Sequence, residues 1–240
     1  MRLLTFLLLA CAVAGGCAGP EAGTTLPAAI PLTDTNPDPH IVEVQLVAAP
    51  TTKEYLAGKL ADVWAYRDGA IADSVGTVPG PLLQANQGDL IIVHFRNELP
   101  SPTTIHWHGL RLPGSQDGSM SSQTAVPAGG TFEYRFTALD AGSFWYHPHI
   151  DANEQVEKGL YAPMIVHGGA TLNVAADRYL VLDDVKLAGD GRLDQNIDPL
   201  DIMLGRPGNV LLVNGMRDGR IEVPAGSQER WRLVNAANGR

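Results

Sequence analysis

Residues 103–114 read TTIHWHGLRLPG, a stretch that sets His106 and His108 on either side of Trp107. In a β-strand, alternate side chains point to the same face, so the two imidazoles would emerge side by side with the indole behind them. Two imidazoles on one face indicate a metal site. A polar edge strand with two hydrogen-bonded histidines would give the same pattern, and this stretch alone leaves both interpretations open.

A second stretch, GSFWYHPHI at residues 142–150, repeats the spacing with His147 and His149 around Pro148. The proline lacks a backbone N–H, which favours an edge strand or a strand end. Four of the seven histidines therefore lie in two His-x-His pairs. Neutral imidazole is a good ligand for copper, zinc, iron or nickel, and the repeat favours the metal site.

The composition predicts an all-β chain. The 240 residues suffice for one large domain or two ordinary ones. Only 18% of them are charged, and the net charge of −9 argues against nucleic acid as a partner. The 26 glycines and 17 prolines separate short apolar runs, which is typical of a β-sandwich or Greek-key barrel.

The strand candidates divide the chain into segments. We expect a first β domain over residues 40–168, in which TFEYRFTA places Phe132, Tyr134 and Phe136 on one face. Residues 169–177 are predicted to be a linker. Residues 178–240 begin a second set of strands, too few for a complete sandwich of similar size.

The N-terminus predicts export. Residues 1–17 combine Arg2, an apolar run and small residues before Cys17, which is typical of a signal peptide and too short for a transmembrane helix. The ending AGGC resembles a bacterial lipoprotein cleavage site, although Ala14 also allows ordinary cleavage. We therefore expect the bacterial cell envelope or periplasm, with a lipid on Cys17 as the only membrane attachment. Residues 18–39 are expected to be an extended tether.

The two cysteines, Cys11 and Cys17, both lie in this N-terminal segment. The rest of the chain has no thiol, so it has no disulfide and no thiolate ligand. Nitrogen and oxygen must hold any metal there.

The quoted motifs resemble those of the multicopper oxidases, the family of laccases, ascorbate oxidase and bacterial copper-efflux oxidases. The resemblance runs from about residue 40 to the end, through GPLLQANQGDLIIVHFRNELPSPTTIHWHG, AGSFWYHPH, GLYAPMIVHG and WRLVNAANGR. It implies a cupredoxin-like Greek-key β-sandwich, followed by an incomplete second cupredoxin-like domain.

The resemblance also implies roles for the site residues. His106 corresponds to a ligand of the type 2 copper, and His108, His147 and His149 correspond to ligands of the binuclear type 3 copper pair. Asp117 matches an acidic position near the cluster that helps deliver protons as dioxygen is reduced. The alternative, that Asp117 and the glycine after it are simply a turn, stays open.

The function implied is the one-electron oxidation of an unidentified reducing substrate, coupled to the reduction of dioxygen to water. The family also needs four further histidines and a type 1 copper bound by cysteine. We therefore expect half of the cluster ligands here and a C-terminal cupredoxin domain as the missing partner. A non-catalytic copper-binding envelope protein is the alternative. A zinc hydrolase is less favoured, because no general base accompanies the histidines.

Overall fold

A computed structural model describes residues 24–238, so the predicted signal peptide and Cys17 lie outside the described residues. The strands are β1 (Ile41–Leu56), β2 (Lys59–Asp68), β3 (Leu83–Asn86), β4 (Leu90–Asn97), β5 (His106–His108), β6 (Thr131–Thr137), β7 (Gly142–His147), β8 (Ala162–His167), β9 (Ala176–Val185), β10 (Val210–Val213) and β11 (Glu229–Asn235). The helices are α1 (Ala152–Glu157) and α2 (Pro199–Leu204).

The first eight strands form a two-layered sandwich. One sheet has the order β2-β1-β4-β6 and the other β3-β8-β7-β5, and from β2 onward the chain alternates between them until β7. The main core lies between the sheets. Tyr134 and Phe136 are buried in it and Phe132 packs against it, which confirms the shared face predicted for these three aromatics. The prediction of an all-β sandwich is also confirmed.

A third sheet, with the order β10-β9-β11, packs on the outer face of β8. Alternate side chains of β8 point to opposite faces of its sheet. Met164 therefore belongs to the main core, whereas Ile165 belongs to a second core that β8 shares with the third sheet. The opposite face of the third sheet is open to solvent, and Leu211 and Leu233 there are 76% and 60% exposed. Residues 176–235 thus form one layer of β structure over the first sandwich.

Part of the predicted tether is bound to the body. The Leu26 N–H donates to the Arg220 carbonyl at 3.0 Å, and the Leu32 N–H donates to the Leu82 carbonyl at 2.9 Å. Residues 24–35, called the strap below, therefore join the first sandwich to the third sheet. Unpaired backbone groups at these strand edges accept the strap, and composition does not reveal them.

The predicted linker also differs from the structure at its end. Strand β9 begins at Ala176, inside that segment, because residues 176–182 pair in parallel with β11. Asp177 reinforces this start by binding Arg232, at 2.8 Å. No helix within residues 24–238 has the length and apolar character of a membrane span.

Asp183 is buried where β9 meets the first sandwich. Its Oδ2 accepts a hydrogen bond from the Tyr161 hydroxyl at 2.5 Å, and the carboxyl is 8% exposed. Burial raises the pKa of Asp183 to about 7, and the nearby carboxylates of Glu157 and Asp184 add to the rise. The folded chain therefore favours the neutral acid.

We predict that Asp183→Asn stabilises the protein at high pH only. The pKa of Asp183 is 3.8 in the unfolded chain and about 7 in the folded chain, so the unfolded chain loses the proton first as pH rises. The free energy of unfolding therefore falls between these two pH values. The amide oxygen can still accept from Tyr161 and carries no charge. Urea unfolding should show a gain of about 2–4 kcal/mol at pH 8 and almost none at pH 4.

Asp62 is exposed on β2, so Asp62→Asn is the matched control. It should leave the free energy of unfolding unchanged at both pH values. A destabilisation by Asp183→Asn at pH 8, or an equal effect at pH 4 and pH 8, would contradict the assignment.

Candidate metal centre

The register between β5 and β7 builds the centre. The two strands pair antiparallel with His106 opposite His147 and His108 opposite Trp145, and β5 is the edge strand of its sheet. Trp107 is fully buried, and its indole N–H donates to the Gln116 carbonyl at 3.1 Å. With the indole fixed in the core, both flanking imidazoles must point to the opposite face, as the sequence predicts.

Three imidazoles converge on that face. The ring centroid of His106 lies 5.4 Å from that of His108 and 5.2 Å from that of His147. One nitrogen from each of these residues lies within 4.8 Å of the others. His108 Nδ1 and His147 Nε2 are only 3.2 Å apart. Two nitrogens bound to one tetrahedral ion at ~2.0 Å would be about 3.3 Å apart, so this pair can share an ion.

His149 lies beside these three rings. Its imidazole stacks on His106 with centroids 4.1 Å apart, and its centroid is 5.8 Å from that of His147. The backbone N–H of His149 donates to the Thr104 hydroxyl at 3.1 Å, which fixes the chain after Pro148. The structure therefore brings together the rings of all four predicted ligands, with His149 at the side of the group.

Acceptor groups fix the protons of two rings. His106 Nδ1 lies 2.9 Å from Asp117 Oδ1 and 3.2 Å from the Asp117 carbonyl oxygen. His147 Nδ1 lies 2.9 Å from the Pro148 carbonyl oxygen. A carbonyl cannot donate, so Nδ1 carries the proton in both rings. The Nε2 lone pair of each ring is thus available to a metal.

Burial favours the neutral form of three of the imidazoles. The pKa of His147 is lowered to about 4, mainly by burial and in part by the positive charges that the neighbouring histidines would carry. The pKa values of His108 and His149 are also lowered, mainly by burial and then by His106. Neutral imidazole is the form that binds metal. A nitrogen-only donor set without a thiolate fits copper, which heads the affinity order for such sites.

Asp117 occupies a tight turn against β5. Gly118, which follows it, has φ of +69°, and a Cβ atom there would lie 2.3 Å from the Ile105 carbonyl oxygen. Only glycine fits so close to the backbone. Asp117 ends the turn formed by the 3-10 helix Gly114–Gln116, with its N–H donating to the Gly114 carbonyl at 3.3 Å, and this turn brings the carboxylate to His106. The two interpretations of Asp117 are compatible, and its part in proton delivery stays a prediction.

Two buried polar residues join this turn to β5: Tyr134, predicted only as a core aromatic, and Gln123, which the sequence analysis did not single out. Gln123 Oε1 accepts from the Gly118 N–H at 2.9 Å, and its Nε2 donates to the Tyr134 hydroxyl at 2.9 Å. The same hydroxyl accepts from the Ile105 N–H at 2.7 Å. We call Gln123 and Tyr134 the brace. The one available signal was Tyr134 itself, a core tyrosine whose hydroxyl needs a partner.

A second buried amide supports the entry to β5. Gln155 on α1 is 1% exposed. Its Oε1 atom accepts a hydrogen bond from the Thr103 hydroxyl at 2.7 Å, and its Nε2 atom donates one to the Pro102 carbonyl at 3.0 Å. The neighbouring Thr104 holds His149, as described above. The short helix therefore fixes the segment from which the first two histidines project.

Comparison with known proteins agrees with this site. A family model described as multicopper oxidase matches residues 64–171, which include all four histidines. Multicopper oxidase MmcO of Mycobacterium tuberculosis is 39% identical over 109 residues, which are 45% of this chain and 21% of that protein.

Two solved structures are similar over most of the chain. A multicopper oxidase from Pseudomonas thermotolerans has a TM-score of 0.76 at 35% identity, covering 83% of this chain and 47% of that one. A Campylobacter jejuni multicopper oxidase, described as a metallo-oxidase, has a TM-score of 0.77 at 29% identity, covering 90% and 44%. The chain thus spans less than half of each of these relatives.

These relatives are copper oxidoreductases, and their shared fold confirms the cupredoxin-like prediction. The match covers the strands and turns that carry the histidines. Residues 64–171 therefore form a cupredoxin-like domain of the multicopper oxidase type.

Proposed function

We propose that this chain supplies half of the ligands of a copper cluster in an oxidase that removes single electrons from a reducing substrate and reduces dioxygen to water. One observation carries the proposal: nitrogens of His106, His108 and His147 lie within 4.8 Å of one another on one face of the sandwich. Bound copper would supply the one-electron redox chemistry and the binding of dioxygen.

The resemblance suggests a division of the ligands, and distances support it. His108 and His147 have their nitrogens 3.2 Å apart and suit one ion, and His149 completes the type 3 set. His106 directs its Nδ1 atom to Asp117, which leaves its Nε2 atom for the type 2 copper that the resemblance assigns to it. Because alternate residues of a strand are separated by roughly 6.6 Å, His106 and His108 can reach different ions.

Asp117 is the residue we propose for proton delivery. Its carboxylate accepts a hydrogen bond from the His106 Nδ1–H, and its side chain is 29% exposed, so it contacts both the centre and solvent. It holds His106 in the tautomer that presents Nε2, and it can exchange protons with water. Behind it, buried Trp107 excludes water from the opposite side of β5.

In this proposal, the remaining ligands and the site of electron entry belong to a further cupredoxin domain or to a partner. The alternative is an envelope protein that binds copper without catalysis. Sequencing beyond codon 240 separates the two. An open reading frame with a His-Cys-His motif supports the oxidase, and a stop codon supports the binding protein.

We also propose that the protein is exported to the bacterial envelope and anchored by a lipid on Cys17. The supporting observation is the apolar N-terminal run ending in AGGC. With Cys17→Ser, the protein should leave the membrane fraction and appear as a soluble exported form. Retention of the variant in the membrane fraction to the native extent would refute the lipid anchor.

We predict that residues 1–240 bind Cu(II) through the histidine cluster without acting as an oxidase. His108→Ala should weaken Cu(II) binding at least about tenfold, measured by calorimetry, because it removes one ligand. His40→Ala, at an exposed histidine outside the cluster, is the control and should bind as the native chain does.

The copper-loaded chain should show no intense thiolate-to-copper absorption band and no sustained oxygen uptake with a phenolic donor. Equal copper binding by His108→Ala and the native chain would contradict the site. Sustained oxygen uptake abolished by His108→Ala would contradict the claim that further ligands are needed.

The brace gives a separate prediction. Gln123→Leu removes the bonds to Gly118 and Tyr134, so the Asp117 turn should loosen and Cu(II) affinity should fall about tenfold. Gln123→Glu should preserve most of the affinity, since its oxygens can accept from the Gly118 N–H and from the Tyr134 hydroxyl.

Electron paramagnetic resonance of bound Cu(II) should therefore be altered by Gln123→Leu and nearly native in Gln123→Glu. Gln45 is exposed on β1, so Gln45→Leu is the control and should leave the spectrum unchanged. If Gln123→Leu lowers thermal stability but keeps the native spectrum and affinity, the brace has no role in positioning the centre.

A further inference from the structure

A cavity of 230 Å³ lies beneath the strap, between the first sandwich and the third sheet. Residues 27–30 of the strap, residues 77–80 before β3, and Tyr179 and Val181 on β9 form its walls, with Met216 after β10. No residue of the histidine cluster lines it. The walls are mostly apolar, and the cavity is separate from the proposed copper centre.

Lys53 on β1 is the one charged side chain among the lining residues. Lys158 and Lys186 pair with carboxylates, whereas within residues 24–238 no carboxylate lies within 4.0 Å of the Lys53 ammonium. The Lys53 ammonium lies over the Tyr55 ring, 5.7 Å from the ring centroid. Burial lowers the pKa of Lys53. The cavity wall therefore includes a partly desolvated lysine that forms no ion pair with a carboxylate of residues 24–238.

The other polar groups of the cavity are less suited to a ligand. Asn214 Oδ1 accepts from the Val181 N–H at 2.8 Å, and its Nδ2 donates to the Tyr179 carbonyl at 3.0 Å. The backbone thus occupies both ends of this amide. Lys53 supplies the one charge among the lining residues, so recognition depends mainly on its ammonium and on apolar contact.

We propose that this cavity binds a small amphiphilic monocarboxylate, with its carboxylate on the Lys53 ammonium and its apolar body between the strap and β9. The negative charge supplies the missing counter-ion, and a charge-assisted hydrogen bond forms in a partly dry site. A second charge would face apolar walls, which excludes dicarboxylates. Drug-sized ligands fill sites of roughly 300–1,000 Å³, so this smaller cavity takes a short chain or a single ring.

Calorimetry with hexanoate, hexanol and hexylammonium at pH 7 tests the site on the 240-residue chain. Hexanoate should bind best and hexylammonium should not bind. Lys53→Met keeps the apolar stem and removes the charge, so hexanoate affinity should fall at least about tenfold while hexanol affinity stays the same. Lys53→Arg should retain hexanoate binding.

Two further variants make the result specific. Lys59→Met alters a lysine that donates to the Gly189 carbonyl and does not line the cavity, so it should bind hexanoate normally. Ala29→Phe fills the cavity from the strap and should abolish binding of both hexanoate and hexanol while Lys53 remains. Absence of hexanoate binding to the native chain, or undiminished binding to Lys53→Met or Ala29→Phe, overturns the proposal.

Discussion

The pairing of β5 with β7 is the constraint on which the proposed centre depends. It sets His106 opposite His147, and only one register does so. A slip of one residue would turn the Trp107 indole outward and the two imidazoles into the core. The core forbids this, because Trp107 packs edge-on against Tyr134 with ring centroids 5.5 Å apart. Hydrophobic packing on one side of an edge strand thus positions metal ligands on the other.

The electrostatic state of the centre follows from the same burial. Desolvation and mutual repulsion lower the pKa values of His108, His147 and His149, and acceptor groups at Asp117 and Pro148 fix which nitrogen of His106 and His147 is free. A metal ion then meets prearranged lone pairs and displaces few protons. The polar groups that hold this arrangement lie in the core behind β5, where Gln123 and Tyr134 join the Asp117 turn to the strand.

Much of the fold and of the candidate metal centre was predictable from the sequence, because His-x-His spacing and the alternation of side chains along a strand are local properties. The fold class and the alternation of His106, Trp107 and His108 required no tertiary information. The brace was not predictable, because Gln123 meets the turn and Tyr134 only after the sheets pack. The strap was missed for a related reason: its backbone bonds to strand edges that exist only in the folded sandwich. The neutral Asp183 likewise depends on burial between sheets.

The most direct test of the central claim is a crystal structure of the copper-loaded chain, with anomalous difference density recorded at the copper absorption edge. We expect a copper peak within about 2.0–2.1 Å of both His108 Nδ1 and His147 Nε2. Copper bound only elsewhere, for example at the exposed His40 or His94, would contradict the claim that the two histidine pairs form the metal centre.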